Sequence, residues 1–347
     1  MTAAAPAPSD TLMPLRPRGH IQSAPMPLDR YAKRLLDMID AGRGGVGDTG
    51  EPAPADIRNA MIRLARAVDV KDVPVGSVQD VALPRPGGGG GGGPLPIRVY
   101  TPVAAIDRVS AAVVYFHGGA GVFCNVDTHD GLCRMLATGS GCRVISVAYR
   151  LAPEHQFPAG LDDCTHATQW VLENAAFLGI DPARVAVGGD SAGGTFAAVI
   201  CQGAREADGP RFALQVLFCP VTDLSADSES RTKFATGYFI ERSTLEWAKR
   251  QYCPPGIDLT DARLSPLHAR SFAGLPPAHI HTAEFDPMLD EGKAYADALS
   301  AAGGEVRYVC HAGMIHHFYA MAGAIPYARA AIASAAAAIN TALGGVT

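Results

Sequence analysis

The sequence predicts an α/β protein built on a mostly parallel, twisted sheet with helices on both faces. Two observations lead to this fold class. From Ala111 onward, short apolar segments alternate with longer segments of helical periodicity, and this alternation is typical of a parallel sheet covered by helices. In addition, 347 residues are enough for one large core with an appended cap.

The region before this alternation, residues 1–72, is predicted to be an N-terminal arm followed by two cap helices. Residues 1–27 are rich in Pro, Ala and Ser, whereas residues 28–40 and 55–68 carry apolar residues at helical spacing. Both helices precede every predicted strand and therefore cannot be crossover connections. We expect them to cover the sheet.

The sheet is predicted to begin with an antiparallel hairpin, residues 73–83 and 95–100, joined by a glycine-rich surface loop at 87–93. Parallel strands are then expected at residues 112–116, 143–148, 184–188, 214–218, 278–283 and 305–310. Helices are expected at residues 130–138, 158–174, 192–201, 289–301 and 327–343. The polar segment 223–265 interrupts the alternation, so we predict a cap insertion between the core segments 73–222 and 266–347.

Composition argues against several classes of partner and site. The net charge of -5 includes no basic stripe, so neither nucleic acid nor a stable membrane association is expected. The 8 cysteines are scattered without a CxxC pair, which favours buried thiols in a reducing cytosol over disulfides or a zinc site. The N-terminus lacks the basic and apolar regions of a signal peptide. We expect a cytoplasmic protein with no metal and no cofactor.

The most informative motif is Gly189-Asp190-Ser191-Ala192-Gly193, which joins an apolar strand to a helix of small residues. A serine between glycines at such a junction is typical of a nucleophile elbow, because the strained turn needs small neighbours. The turn would raise the Ser191 hydroxyl above the sheet, next to a helix N-terminus that favours a developing oxyanion. Taken alone, the pattern fits a glycine-rich turn with a capping serine equally well.

A second motif, His117-Gly118-Gly119, follows the strand at residues 112–116. Glycines let backbone N–H groups approach a substrate oxygen. We therefore expect Gly118 and Gly119 to donate in an oxyanion hole, with Ala192 as the third donor. A plain turn at the end of the strand is the alternative.

A serine nucleophile needs a base and an acid that orients the base, both after later strands. Asp286 is preferred to Glu284 as the acid because it lies farther past its strand, although an Asp-Pro pair also commonly caps a helix. Three histidines compete for the base. His311 lies too close to the strand and His317 points away from its neighbour, but the choice of His316 rests partly on the resemblance described next.

These motifs and two further segments resemble the bacterial hormone-sensitive-lipase-like (family IV) esterases of the α/β-hydrolase superfamily. The further segments are Tyr149-Arg150-Leu151-Ala152-Pro153-Glu154-His155, and Asp286-Pro287-Met288-Leu289-Asp290-Glu291-Gly292 together with Gly313-Met314-Ile315-His316. The resemblance implies an α/β-hydrolase fold with a helical cap, and a serine carboxylester hydrolase that cleaves short- to medium-chain esters through an acyl-enzyme. It implies Ser191 as nucleophile, His316 as base and Asp286 as acid, without a cofactor. A homodimer through the last strand and helix is a hypothesis.

The chain departs from the family pattern beside the oxyanion motif, at Ala120, Gly121 and Cys124. We expect these residues, together with Phe239 and Trp247 of the cap insertion, to line the substrate pocket. The alternatives to an esterase are an amidase, a hydrolase of lactones or aryl esters, and a non-catalytic small-molecule binding protein on the same scaffold. The joint presence of nucleophile, acid and base argues against the last of these.

Overall fold

The computed structural model describes residues 27–43, 51–85 and 93–345. Within these ranges the chain forms an eight-stranded sheet with helices on both faces. Residues 1–26, which make up almost all of the predicted arm, lie outside the described residues, as do residues 86–92, which contain most of the glycine run.

The strands follow the predicted order along the chain. They are β1 (Ser77–Leu83), β2 (Leu95–Thr101), β3 (Ser110–Phe116), β4 (Arg143–Val147), β5 (Ile180–Asp190), β6 (Leu214–Phe218), β7 (Ala278–Phe285) and β8 (Val306–Ile315). In the sheet they lie in the order β1-β2-β4-β3-β5-β6-β7-β8. β1 and β2 pair antiparallel, β2 joins β4 antiparallel, and the remaining neighbours are parallel. The predicted fold class is confirmed.

The helices of the described chain divide between the two faces of the sheet and a cap. They are α1 (Arg30–Arg43), α2 (Pro54–Val68), α3 (Asp130–Ser140), α4 (Ala159–Glu173), α5 (Ala192–Glu206), α6 (Glu229–Lys233), α7 (Arg242–Tyr252), α8 (Leu289–Ala301) and α9 (Pro326–Leu343). One apolar layer joins the sheet to α4, α5 and α8, and the other joins it to α1, α3 and α9. All seven residues of β3 are buried between the two layers, as expected for a central parallel strand.

Several strands run farther than the sequence predicts, and the extensions of β5 and β8 position the site. β5 continues past its predicted end at Gly188 to Asp190, and β8 continues past its predicted end at residue 310 to Ile315. Glycine normally weakens a strand. Gly188 and Gly189 nevertheless pair in parallel with Tyr115 and Phe116 of β3, so the turn to the next helix begins directly at the carboxyl edge of the sheet.

The two N-terminal helices occupy different places. α2 packs with α7 of the cap insertion, where Ile57 contacts a small cluster that contains Trp247. Arg58 ties α2 to two loops of the core, because its guanidinium donates to the carbonyl oxygens of Val122 (2.8 Å) and Ala152 (2.7 Å). α1 packs instead into the apolar layer that holds α3 and α9.

Two general expectations can be compared with the described residues. All eight cysteines are free, seven of them buried and one, Cys310, exposed. None of the described helices combines the length and the apolar character needed to cross a membrane.

Candidate active site

Ser191 occupies a strained turn between β5 and α5. Its backbone has φ 52° and ψ -120°, a region that residues with a side chain rarely adopt. The neighbours must be small, because a Cβ on Gly189 or Gly193 would collide with the carbonyl oxygen of Phe116. The glycines of the motif therefore serve the close contact between the elbow and the end of β3.

His316 and Asp286 form a buried hydrogen-bonded pair at the same edge of the sheet. His316 Nδ1 donates to Asp286 Oδ2 over 2.8 Å, and Asp286 Oδ1 accepts the amide N–H of Met288, also at 2.8 Å. Burial alone would lower the pKa of His316, but the Asp286 carboxylate outweighs it and the pKa is raised above its ordinary value. Since Nδ1 donates, Nε2 is the nitrogen that accepts a proton. His316 and Ser191 line one small cavity together.

The rejected candidates for acid and base have other partners. His311 lies within β8. Its Nε2 is 3.1 Å from His281 Nδ1, and its Nδ1 is 3.0 Å from the hydroxyl of Tyr327. Glu284 accepts the amide N–H of Gly313 at 2.8 Å, which fixes the end of β8 beside β7. His317 turns away from Asp286 and faces Asp190 instead, with 3.4 Å between Nδ1 and Oδ2.

Asp190, the residue before the nucleophile, gathers several donors around one buried carboxylate. Its Oδ1 accepts the Tyr115 hydroxyl at 2.8 Å and the Gly118 amide N–H at 2.9 Å. Burial alone would raise the pKa of Asp190, but His129 and His317 outweigh it and the pKa lies well below its ordinary value. The carboxylate is therefore ionised and ties the turn at Ser191 to the loop after β3, which contains Gly118. The signal in the sequence was a charged residue inside an otherwise apolar turn.

The hydrogen bond to Asp190 corrects the predicted role of Gly118. The Gly118 amide N–H already donates to Asp190 Oδ1, and a Cβ at this position would collide with Asp190 Oδ2. The glycine therefore admits the carboxylate rather than a substrate oxygen. Across the described residues, the amides of Gly119, Ala120 and Ala192 donate no hydrogen bond.

A cavity of about 60 Å³ lies beside Ser191, with side chains of α5 and α7 in its wall. Its wall is mainly apolar, with Arg231, Glu246, Lys249 and Arg263 among the lining residues. The apolar lining residues are Ala120, Ala192, Phe196, Val221, Leu224, Ile240, Leu245, Ala248, Tyr252, Leu264 and Met288. The cavity therefore offers an apolar space next to the nucleophile.

Of the five residues predicted to line the pocket, the described structure places Ala120 in the wall of this cavity and the others outside it. Gly121 packs against the ring of Tyr252. Cys124 and Trp247 belong to the cluster between α2 and α7, and Phe239 stacks on His317 with 5.9 Å between ring centroids.

Helical geometry explains the residues that were missed. Leu245, Ala248, Lys249 and Tyr252 are spaced as one face of α7, and this face lines the cavity. Trp247 lies on another face and packs toward α2. The spacing was readable in the sequence, but which face of α7 looks toward the nucleophile depends on how the cap docks.

Comparison with known proteins places this chain in a family. A family model described as an alpha/beta hydrolase fold matches residues 113–320. The carboxylesterase NlhH of Mycobacterium tuberculosis is 42% identical over 254 residues, which are 72% of this chain and 79% of that protein. The chain belongs to the hormone-sensitive-lipase-like esterases of the α/β-hydrolase fold.

Two further comparisons agree. The ethyl acetate hydrolase of Pseudomonas putida is 41% identical over 235 residues, 67% of this chain and 73% of that protein. An ester hydrolase from the metagenome of Lake Arreo, solved in complex with a bipyridine phosphonate derivative, superposes with a TM-score of 0.87 at 41% identity and covers 91% of this chain and 99% of its own. The predicted family, fold and serine carboxylester hydrolase activity are confirmed.

Two groups of side chains in the described part of this esterase have the composition of metal ligands. One is Cys219, Asp286 and His316, and the other is His129, Asp190 and His317, and in each group the ligand atoms lie within 4.8 Å of one another. The first group contains the hydrogen-bonded His316–Asp286 pair. The second lies behind the nucleophile elbow and has no part in that pair.

Proposed function

We propose that this esterase hydrolyses short- to medium-chain carboxylic esters through an acyl-enzyme on Ser191. The observation that carries the proposal is the buried 2.8 Å hydrogen bond between His316 Nδ1 and Asp286 Oδ2, beside a serine at φ 52°. His316 Nε2 takes the Ser191 hydroxyl proton as the oxygen attacks the ester carbonyl carbon, then gives that proton to the departing alkoxide. Asp286 stabilises the imidazolium that forms in between.

Water completes the cycle. His316 takes one proton from a water molecule as its oxygen attacks the acyl carbon, and the bond from that carbon to Ser191 Oγ then breaks. The proton passes to Ser191, and the carboxylic acid leaves. Every proton that moves is held in turn by a residue of the chain, so the proposed cycle needs no cofactor.

The negative charge that develops on the carbonyl oxygen needs donors. We assign the amides of Gly119, Ala120 and Ala192 to this role, with Ala120 replacing Gly118 in the predicted set. Ala120 and Ala192 line the cavity together with Ser191. Asp190 supports the loop from behind through Gly118, and the N-terminus of α5 adds its dipole.

We assign the acyl chain to this cavity. Its wall beside Ser191 is mainly apolar, and side chains of α7 form part of it. We infer that acyl chains up to medium length gain from burial there, and that longer chains have to displace α7.

The test is hydrolysis of p-nitrophenyl esters from acetate to palmitate by the wild type, Ser191→Ala and Ser225→Ala. We expect activity to peak at short or medium chains and to fall by at least about 10³-fold in Ser191→Ala. Ser225→Ala, which changes an exposed serine, serves as the matched control. A folded wild type that is inactive on every ester refutes the proposal, and a peak at palmitate refutes the assigned chain length.

A further inference from the structure

The hydrogen bonds around His129 fix where its proton lies. The Thr128 hydroxyl is 2.7 Å from the carbonyl oxygen of Asn125, which can only accept. A hydroxyl has one proton, so Thr128 Oγ1 acts as acceptor toward His129 Nδ1, 2.9 Å away. Nδ1 therefore carries a hydrogen, and Nε2 is the ring nitrogen that faces Asp190.

His129 Nε2 faces a carboxylate. His129 Nε2 lies 3.1 Å from Asp190 Oδ1 and 3.2 Å from Oδ2, and a carboxylate also only accepts. His317 Nδ1 approaches Oδ2 at 3.4 Å, longer than an ordinary N–H···O hydrogen bond. All three side chains are at least largely buried, so the charge of the carboxylate is poorly screened by solvent. A cation bound between the three side chains would balance this charge.

The spacing matches a metal coordination sphere. With zinc bonds of about 2.0–2.1 Å, neighbouring ligand atoms of a tetrahedron lie about 3.3–3.4 Å apart, close to the distances from Asp190 Oδ2 to the two imidazoles. The polar atoms of Asp190 and His129 that would point away from the metal also have hydrogen-bond partners. Asp190 Oδ1 accepts from Tyr115 and Gly118, and His129 Nδ1 is bound to Thr128. Such supporting hydrogen bonds orient the ligands of metal sites.

We propose that Asp190 Oδ2, His129 Nε2 and His317 Nδ1 bind a divalent transition-metal cation, Zn²⁺ by preference, directly behind the nucleophile elbow. Two imidazoles and one carboxylate suit this cation. The small cavity lined by Asp190, His317, Ser191 and His316 has room for about one water molecule, which serves as the fourth ligand. No local spacing in the sequence signals this set, because its members come from three separate segments of the chain.

The site lies where a cation would affect the esterase. Asp190 adjoins Ser191 and holds Gly118, and His317 adjoins His316. A cation that draws Asp190 and His317 together also fixes their chain neighbours, Ser191 and His316. We expect bound zinc to inhibit hydrolysis, although metal binding itself does not depend on the proposed catalytic roles.

The experiment titrates the chelator-treated, full-length protein with ZnCl₂ by calorimetry and with CoCl₂ by visible absorption. We expect one equivalent to bind and the cobalt form to show the absorption of a tetrahedral site. Affinity should fall by at least about tenfold in His317→Gly and in His129→Gln. His317 has φ 64°, which glycine adopts without strain, so the first variant keeps its fold.

A matched control removes an imidazole from another His–Asp contact. His268 Nε2 lies 3.1 Å from Asp223 Oδ2, and His268→Ala should bind zinc like the wild type. No saturable binding, or equal affinity in wild type and His317→Gly, overturns the proposal, and a proton on His129 then accounts for its contact with Asp190. Because the cobalt spectrum does not require turnover, it reports on the site even if the protein hydrolyses no ester.

Discussion

Two buried carboxylates flank the nucleophile, and they are used differently. Asp286 accepts from one imidazole, His316, and from one backbone amide, and the Cys219 thiol lies beside it. Asp190 also faces imidazoles, but it holds in addition the Tyr115 hydroxyl and the backbone of the oxyanion loop at Gly118. We propose that Asp286 acts on the basicity of the His316 ring, whereas Asp190 acts on the position of the loop that contains Gly118. Their partners, rather than their burial, separate these roles.

The largest effect on activity is expected for Asp286→Asn. An amide can still accept the Met288 N–H but no longer stabilises a protonated His316, so kcat should fall by about 10³–10⁴-fold. The free energy of unfolding should fall by only about 1 kcal/mol. Steady-state kinetics and urea unfolding measure the two quantities. The control is Asp261→Asn, which changes a partly exposed carboxylate paired with Arg263.

Asp190→Asn should affect stability more, and activity less, than Asp286→Asn does. The amide NH₂ replaces one acceptor within a group of buried donors, so we expect unfolding free energy to fall by about 2–3 kcal/mol. The oxyanion loop should loosen, and kcat should fall by about 10–10²-fold. If this variant were as inactive as Asp286→Asn while equally stable, the distinction between the two carboxylates would be lost.

The pH dependence of kcat/KM sharpens the comparison. His316 has to be neutral to act as a base, and Asp286 raises its pKa, so activity should fall as the pH drops through a value above the ordinary histidine pKa of about 6.5. The residual activity of Asp286→Asn should titrate lower, and that of Asp190→Asn nearly as in the wild type. An acidic limb below 6.5 in the wild type would contradict the role of Asp286.

The His316–Asp286 pair also stabilises the fold, and this contribution should fall with rising pH, whereas kcat/KM should rise. Because the folded-state pKa of His316 is raised, the stabilisation is fully present below the unfolded-state pKa and is lost as the pH rises through the folded-state value. Urea midpoints measured across this window should therefore decrease toward higher pH in the wild type, and less so in Asp286→Asn.

The sequence was sufficient for the sheet because its periodicity is set by local burial, and each of the predicted strands is present. It was sufficient for the strained turn at Ser191, because the sterics of that turn require small neighbours such as Gly189 and Gly193. It was not sufficient for Gly118, since glycine admits any close neighbour, and only the fold shows that the neighbour is Asp190. Trp247 failed as a pocket residue for a related reason: the face of α7 that meets the cavity is chosen by docking of the cap onto the core.

The smallest expected effect concerns the other end of the oxyanion loop. Ala120 has φ 56°, a left-handed conformation that costs a residue with a side chain about 1 kcal/mol. Ala120→Gly relieves this strain, partly offset by the greater freedom of the unfolded chain, so unfolding free energy should rise by about 0.5 kcal/mol. If Asp190 fixes the loop through Gly118, kcat should change by less than about threefold. A tenfold loss would instead mean that the strained alanine, and not the carboxylate, holds the oxyanion donors in place.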